Sequence, residues 1–476
     1  MQEDKVGDAE GLSFRGFLRA NWLKVLFILL LALAVRAVFV AAFPDPLMDT
    51  RYRPTAINIL EGHGFSTDER APYTPGEATA PAYPLFIAAV YALCGRSVKA
   101  LLLSQACLDL LTCLLVAFAA FQLAPPRRKS AAALWSLTIY GLCSWPTTVW
   151  VARVYAETLT LFFTMLTLAL CALAIRKGAR YWFGAGLACG LAILTRPDSV
   201  LLAGAVALFL SARLAVQRRR ACALGLFGFC LAVALALAPW VVRNYVSLGK
   251  FQPLASEYGS ARDGYFPRGY LWWTRTWLKD ETYFDYAFDP AWNPGVTFFD
   301  PDALPRAAYD SEEERVRLVS LIARYNQARA ITPEIDQEFR NLGDERIRRA
   351  PMRFFLLLPL YRAASMWLTG FSTSRPTPYV LILRILSVLP IHVCGALGLA
   401  LWGRRQPLAA LLVLIVLSRT LFFAYHYAPE TRYMAEVYPL MIAACGMTAA
   451  AIWSHLSRVG VKLRHARVRE PSVERA

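Results

Sequence analysis

The sequence predicts an all-α polytopic membrane protein: a bundle of about 10–12 transmembrane helices with an outward-facing, mostly helical lobe. Three observations predict this class. Of the 476 residues, 57% are hydrophobic and only 18% are charged, whereas soluble domains carry about 25% charged residues. Apolar runs recur along the chain, and many reach the roughly 20 residues that a spanning helix needs. Basic clusters fall between these runs, as positive-inside topology requires.

The basic clusters predict the threading, because placing all of them on the cytoplasmic face is self-consistent. The clusters are Arg15, Arg19 and Lys24; Arg127, Arg128 and Lys129; Arg176, Lys177 and Arg180; Arg218, Arg219 and Arg220; Arg404 and Arg405; and Lys462, Arg464, Arg467 and Arg469. The predicted spans are then 22–43, 97–123, 130–150, 157–176, 181–195, 199–216, 221–241, 378–402, 407–425 and 433–455. Stretches 81–95 and 351–370 are expected either to span or to lie at the interface.

The threading divides the chain into five parts. They are a cytoplasmic N-terminal segment (1–21), an N-terminal transmembrane module (22–241), a large periplasmic lobe (242–350), C-terminal transmembrane helices (351–455) and a cytoplasmic basic tail (456–476). The lobe holds 17 of the 34 acidic residues and 15 basic ones, so it is nearly neutral. Two helices are predicted in its second half, one capped by Ser311 and one beginning at Thr332 and Pro333.

Composition argues against several other classes. The net charge of +17 is spread over the membrane boundaries, so no nucleic-acid partner is expected. All ten cysteines lie in apolar segments, and the five histidines are scattered, which predicts neither a disulfide framework nor a metal site. Phosphate-cradling glycine loops are absent from the sequence, and no cofactor is expected.

The first outward loop, 44–80, carries the strongest catalytic candidate. The sequence PDPLMDTRYRPTAINILEGHGF follows the first span and holds Asp45 and Asp49 at the membrane surface. A carboxylate held at the membrane surface is energetically costly, and catalysis on a lipid-borne substrate would explain its presence there. We expect Asp49 to act as general base toward an acceptor hydroxyl, with Tyr52 one helical turn away. The alternative is a solvated loop acid or a helix N-cap.

Glu157 is the second candidate acid, at the outer end of the fourth predicted span. The functional interpretation is a carboxylate that converges on the same cavity as Asp49. Acids at a membrane boundary also begin helices, where the helix dipole favours them. Arg153 precedes Glu157 by one turn, so the two residues are alternatively a simple pair.

Three arginines lie at outer boundaries, against the positive-inside trend. They are Arg196 in LTRPDS, Arg243 in APWVVRNYVSLG and Arg432 in PETRYMAEVYP. The fixed fork of arginine suits phosphate oxygens, so the three together predict a site for a lipid phosphate. The alternative is snorkelling, or pairing with Asp198, Glu430 or Glu436.

Two other features have mainly structural explanations. Trp272, Trp273 and Trp277 either stack on sugar rings or anchor the lobe at the interface. The small residues from Gly184 to Gly190 predict close helix packing.

At this point the chain resembles a known family. The segments MDTRYRPTAINILEGHGF, APAYPLFIAAVYALCG, VYAETL, GLACGLAILTRPDS, APWVVRNYVSLGKF and PETRYMAEVYP carry the resemblance. Their order around a large late outward loop is similar to that of GT-C glycosyltransferases, polytopic enzymes that use polyprenyl-phosphate sugars. Bacterial relatives of protein O-mannosyltransferases and of the aminoarabinose transferase of lipid A look most similar, over about residues 22 to 455.

The resemblance implies a GT-C-like bundle in which the first-loop acid, Asp49, is catalytic and Glu157 is the second acid. It implies that Arg196, Arg243 and Arg432 contact the donor phosphate. Substrate binding is assigned to Tyr52, Tyr83, Tyr258 and Glu430, with Tyr258 in a late loop that covers the site. Asp49 is followed by Thr50, whereas protein mannosyltransferases often have adjacent acids there.

The resemblance also implies an inverting single displacement. Because the sequence contains no acid cluster, metal-independent chemistry is favoured. A hexosyl or pentosyl group would leave a polyprenyl-phosphate donor for an acceptor hydroxyl on a lipid, a glycan or a protein. The expected location is the bacterial inner membrane, with several spans and the active site facing the periplasm.

Three alternatives stay open from the residues. A transporter or flippase for a lipid-linked substrate would use mid-membrane acids, of which Asp109 is the strong example. A polysaccharide polymerase or ligase would take a diphosphate-linked donor. A non-catalytic scaffold would bind a partner through the lobe and would not need Asp49.

Overall fold

The computed structural model describes residues 13–42, 51–77, 79–255, 265–292, 298–368, 378–404 and 406–468. Over these residues the chain is helical and contains no β-strand. The predicted all-α class is therefore confirmed.

The N-terminal module contains eleven helices in its described residues. They are α1 (Phe14–Ala20), α2 (Trp22–Ala42), α3 (Tyr52–Leu60), α4 (Ala82–Cys94), α5 (Val98–Leu123), α6 (Lys129–Cys143), α7 (Trp145–Thr148), α8 (Glu157–Lys177), α9 (Arg180–Thr195), α10 (Val200–Gln217) and α11 (Arg220–Leu248). The short helix α3 lies in the first outward loop and packs against α4.

The lobe and the C-terminal part supply the other helices. The lobe contains α12 (Arg268–Thr274), α13 (Phe284–Trp292), α14 (Glu312–Ala328) and α15 (Pro333–Arg349). A π-helical turn (Arg353–Leu357) leads into α16 (Leu358–Leu368), and α17 (Pro378–Gly398), α18 (Pro407–Tyr425) and α19 (Val437–Val468) follow.

Eight helices in the described residues are long and apolar enough to cross a membrane. They begin within a few residues of eight of the ten predicted spans. The other two predicted spans are α6, with 15 residues, and α9, with 16 residues; helices of that length rise only about 22–24 Å. Helix α6 ends at Cys143 rather than at 150, because the backbone leaves the helical region at Ser144, just before Pro146.

Small residues let α9 approach α11 closely, as the run from Gly184 to Gly190 predicted. A Cβ atom on Gly186 would lie 2.4 Å from the Phe229 carbonyl oxygen, and one on Gly190 would lie 2.4 Å from the Ala236 methyl group. Real Cβ atoms do not come that close, so both positions require glycine at this helix–helix contact.

A buried ionic cluster fastens the first span to its neighbours. Arg36 and Asp109 are both fully buried. The guanidinium donates to Asp109 Oδ2 through Nε at 2.8 Å and Nη2 at 2.6 Å, and to the Gly141 carbonyl. The Tyr140 hydroxyl donates to Asp109 Oδ1 at 2.7 Å. Both carboxylate oxygens of this mid-span acid are thus occupied, so its presence is explained without a transport pathway.

The lobe has its own apolar core, built from α12 to α15. The predicted caps are confirmed: Ser311 Oγ accepts from the Glu314 amide, and Thr332 Oγ1 accepts from the Ile335 amide. Asp336 accepts from the Gly269 and Tyr270 amides at the start of α12. A side chain in the first turn of α15 therefore satisfies amides at the start of α12.

Charged side chains connect the base of the lobe. Arg346 is buried and donates to Glu314 at 2.6 Å. Arg353 donates to Asp310 through both Nη atoms, at 2.7 and 2.8 Å. Because Arg353 hydrogen-bonds to Asp310, the pKa of this carboxyl lies below its usual value.

We predict that Asp109→Leu destabilises the protein by about 3–5 kcal/mol, because it leaves the Arg36 charge buried without its partner. The double variant Arg36→Leu/Asp109→Leu should lose less than the sum of the two single changes, since it buries no unpaired charge. Unfolding of purified protein in detergent, followed by tryptophan fluorescence, measures both effects.

Arg317→Leu serves as the control, because its partner pair with Glu345 is solvent-exposed. Its cost should stay within about 1 kcal/mol. Equal losses for Arg317→Leu and Asp109→Leu would contradict the structural importance of the buried cluster.

Candidate functional site

Charged side chains from three outward connections meet at one end of the bundle. Glu157 begins α8, Arg196 follows α9, and Glu430 and Arg432 lie in the loop between α18 and α19. The centre of the cluster is the pair between Arg196 Nη1 and Glu157 Oε1, at 2.6 Å. Both side chains are almost completely buried, so they form a fixed group rather than a solvated one.

Four residues form a closed ionic ring beside this pair. Arg196 contacts Asp198 Oδ1 at 3.1 Å and Glu436 at 3.8 Å. Arg419 contacts the same two carboxylates, Asp198 at 2.5 Å and Glu436 at 2.7 Å. Burial alone would lower the pKa of Arg196, but the surrounding carboxylates outweigh it and raise this pKa. The ring therefore holds the Arg196 guanidinium charged.

The loop 426–436 adds a second ion pair. Arg432 pairs with Glu430, and the Tyr433 hydroxyl donates to Glu430 Oε1 at 2.7 Å. The Arg196 guanidinium lies over the Tyr433 ring, 5.4 Å from its centroid. A lobe residue, Glu281, accepts from the Thr431 amide and hydroxyl. The lobe thus fixes the loop that carries Arg432.

Glu157 keeps one oxygen available. Its Oε1 is bonded to Arg196, while its Oε2 is buried and has no hydrogen-bond partner in the part of the chain that the structure describes. An unpaired buried carboxylate oxygen is costly. This atom is where a ligand hydroxyl would most readily be accepted.

Tyrosines from the first outward loop and α4 approach the cluster from the side. The phenol of Tyr52 acts electrostatically on Arg432, and its ring packs edge-on against Tyr83, with centroids 4.9 Å apart. Tyr83 is completely buried and donates to Gln105 at 2.5 Å. Gln105 in turn donates to the Val151 and Arg153 carbonyls. Through Gln105, Tyr83 therefore supports the segment that precedes Glu157.

Arg243 lies near the end of α11 and contacts the first outward loop. It donates to the carbonyls of Gly76 at 2.7 Å and Phe65 at 3.0 Å, and it stacks over the Phe65 and Trp240 rings. These contacts attach the first outward loop to the end of α11. Within the described ranges, these contacts do not join Arg243 to Arg196 or Arg432, and its assignment to the donor phosphate stays a prediction.

The other predicted residues divide into two groups. Asp49 and Tyr258 lie outside the described residues. Trp273 and Trp277 are buried in the lobe core, and Trp272 donates to Asp344. The buried pair is explained by core packing rather than by sugar stacking or interfacial anchoring.

Arg419 is the main residue that the sequence interpretation missed. It lies inside an apolar predicted span, where an arginine is expensive unless it is paired, and that cost was the available signal. Across the described ranges, no group of three histidine, cysteine, aspartate or glutamate side chains is arranged to hold a metal ion.

Comparisons with known proteins agree with this architecture. A family model described as dolichyl-phosphate-mannose-protein mannosyltransferase matches residues 78–242. This stretch includes Glu157 and Arg196 from the cluster. A search of the curated proteins finds no match.

Solved structures of an archaeal oligosaccharyltransferase have a similar fold. The oligosaccharyltransferase AglB from Archaeoglobus fulgidus, in complex with an inhibitory peptide and a dolichol-phosphate, is 14% identical with a TM-score of 0.51, and the match covers 96% of this chain and 53% of AglB. The apo form of that enzyme gives a TM-score of 0.52 at 14% identity, covering 94% and 52%.

ArnT from Cupriavidus metallidurans bound to undecaprenyl phosphate is 15% identical, with a TM-score of 0.38 and coverage of 89% and 77%. The chain spans about half the length of AglB. The predicted resemblance is confirmed at the level of the fold: this is a multi-pass membrane protein with the GT-C architecture.

We predict that Arg243→Ala loosens the first outward loop, because two carbonyls lose their shared donor. The Gly76 amide, which donates to the Phe65 carbonyl at 2.7 Å, should exchange with deuterium several-fold faster in peptides covering 63–77. Lys250→Ala is the control, since the half-exposed Lys250 pairs with the Glu77 side chain of the same loop and donates to neither of the two carbonyls. Unchanged exchange in Arg243→Ala would show that other contacts hold the loop.

Proposed function

We propose that this protein is a membrane glycosyltransferase that moves a sugar from a polyprenyl-phosphate donor to an acceptor hydroxyl at the outer membrane boundary. The observation that carries the proposal is the meeting of Glu157, Arg196, Glu430 and Arg432 at one end of the bundle, beside Tyr52 from the first outward loop. Buried charges at a membrane boundary cost free energy, and a polar reaction on a lipid-borne substrate would explain why they are present.

The proposed reaction is one inverting displacement. The acceptor oxygen attacks the anomeric carbon as the bond from that carbon to the phosphate oxygen breaks, and the electron pair of this bond leaves with the lipid phosphate. The proton of the acceptor hydroxyl passes to Asp49, the general base. A phosphate leaves without protonation, so a second proton donor is optional.

Glu157 is proposed to orient the acceptor through its unpaired Oε2. Arg196 holds the other oxygen at 2.6 Å, which fixes the position of the carboxylate. The buried neighbours of Arg196 exclude water, so a hydrogen bond from a sugar or acceptor hydroxyl would be strong there.

Arg432 is the better placed of the clustered arginines for the donor phosphate. Arg196 already contacts three carboxylates, whereas among the described residues Arg432 has an ion pair with Glu430 and no other. A donor phosphate that replaces Glu430 as the partner of Arg432, or binds Arg432 beside it, would accept two hydrogen bonds from the guanidinium. These bonds would stabilise the negative charge that grows on the phosphate in the transition state. Arg243 remains a further proposed ligand.

Similarity to AglB, whose structure holds a dolichol-phosphate and a peptide, supports a lipid-phosphate donor and a membrane-facing acceptor site. The proposal places the chain in the bacterial inner membrane, with the active site facing the periplasm. The sugar, hexose or pentose, and the acceptor, a lipid, a glycan or a protein, are to be identified by experiment.

We predict that Asp49→Asn abolishes sugar transfer, because amide nitrogen cannot accept the proton, and general bases contribute about 10²–10⁴-fold. Glu157→Gln should reduce transfer less, since it keeps a hydrogen-bonding group in place. Membranes containing each variant would receive labelled polyprenyl-phosphate hexoses and pentoses, and label would be counted separately in lipid, glycan and protein fractions.

Glu313→Gln, an exposed change on the lobe, is the matched control and should leave transfer unchanged. Full activity of Asp49→Asn would overturn the assigned base. Loss in Glu157→Gln equal to that in Asp49→Asn would reverse the ranking of the two acids. Transfer only from diphosphate-linked donors would replace the proposed donor class.

A further inference from the structure

A second group of cations lies where the lobe meets the membrane helices. It consists of Arg275 and Lys279, which follow α12, and Arg362 in α16. In the described part of the chain, none of the three has a carboxylate at ion-pair distance, and Arg275 and Arg362 repel each other. Arg346 and Arg353, by contrast, are paired with the carboxylates of Glu314 and Asp310.

Arg362 is almost completely buried, yet its protein partners are all neutral. Its Nε and Nη2 donate to the Leu278 carbonyl at 2.9 and 2.7 Å, and Nη2 also donates to the Arg275 carbonyl at 2.6 Å. Carbonyl oxygens satisfy the N–H groups but do not cancel the charge. A positive field therefore persists at this position.

Arg275 lies next to that field and is partly exposed. Its guanidinium lies over the Trp272 ring, 5.4 Å from the centroid, and over the Phe354 ring at 5.2 Å. Its Nε is buried without a hydrogen-bond partner among the described residues. The aromatic contacts fix the plane of the fork, so the orientation of the guanidinium is defined.

The cluster lies at the depth of lipid headgroups. Arg362 also reaches the Ala424 carbonyl, and the Tyr425 hydroxyl donates to the Phe355 carbonyl. Tyr425 is the last residue of a candidate span, which places these contacts at the boundary of the bilayer. Phe355, Leu360 and Tyr361 are exposed on the neighbouring helix, and Lys279 lies over the Tyr361 ring at 4.9 Å.

We infer that Arg275 and Lys279 bind the phosphate of an anionic glycerophospholipid, whose acyl chains lie along the exposed apolar side of segment 351–368. The positive field of Arg362 favours a headgroup with net negative charge. Such a lipid would attach the base of the lobe to the membrane surface.

The contacts of this cluster differ from those of the carboxylate cluster at the candidate site. Arg275 lies over the Trp272 and Phe354 rings, whereas Arg196 pairs with Glu157 and lies over the Tyr433 ring. A phosphate bound at Arg275 would therefore contact other residues than a phosphate bound beside Glu157, and the probes below distinguish a bilayer phospholipid from the sugar donor.

Native mass spectrometry of the full-length protein tests this inference. The probes are dioleoyl phosphatidylglycerol, dioleoyl phosphatidylcholine and undecaprenyl phosphate, each added to delipidated protein. Wild type should retain phosphatidylglycerol in preference to phosphatidylcholine. Arg275→Gln/Lys279→Gln should bind phosphatidylglycerol at least about tenfold more weakly, since each cation near the surface contributes to the attraction.

Arg306→Gln/Arg329→Gln removes two exposed lobe charges and should bind as wild type does. Equal retention by both double variants, or a preference of the Arg275 site for undecaprenyl phosphate, would overturn the inference. If the Arg275 variant fails to fold, Lys279→Gln and the salt dependence of phosphatidylglycerol retention by wild type decide it: retention that is insensitive to both would also overturn it. Sugar transfer is a separate readout, so loss of lipid retention is distinguishable from failure of the proposed function.

Discussion

Pairing of buried guanidinium and carboxylate groups at the membrane boundary is the constraint on which the outward end of this protein depends. Arg196 and Arg419 share Asp198 and Glu436, and these residues come from separate helices and connections. A buried charge is tolerated only beside its partner. The positions of the helix ends, and with them the position of Glu157, are therefore fixed by the ring rather than by apolar packing alone.

The same constraint acts differently at the two other charged sites. In the bundle interior, Arg36 and Asp109 satisfy each other completely, and their contribution is to hold α2 against α5 and α6. At the lobe base, the partners of Arg275 and Arg362 in the described part of the chain are neutral. A cluster whose charges are all paired stabilises the fold. A cluster with an unpaired charge or an unpaired oxygen atom, such as Glu157 Oε2, has the capacity to bind a ligand.

Several local features were predictable because they depend on neighbours in the chain. The caps at Ser311 and Thr332 form as the sequence indicates, and the small residues of α9 meet α11 closely. Helix α6 was predicted too long, because apolar composition continues through the break at Ser144. Arg419 was overlooked, because its partners are more than two hundred residues away or across a loop.

The sequence by itself determined the class of protein, the approximate spans, the helical lobe and the set of charged residues at outer boundaries. Hydropathy and cap chemistry are short-range properties that every stretch of chain carries with it. Only the tertiary structure decided that Arg196 is held by carboxylates, that Arg243 binds the first outward loop, and that Tyr83 supports the Glu157 segment from within the core. Which distant charges pair with each other depends on how the helices pack in three dimensions, and this packing cannot be inferred from one sequence alone.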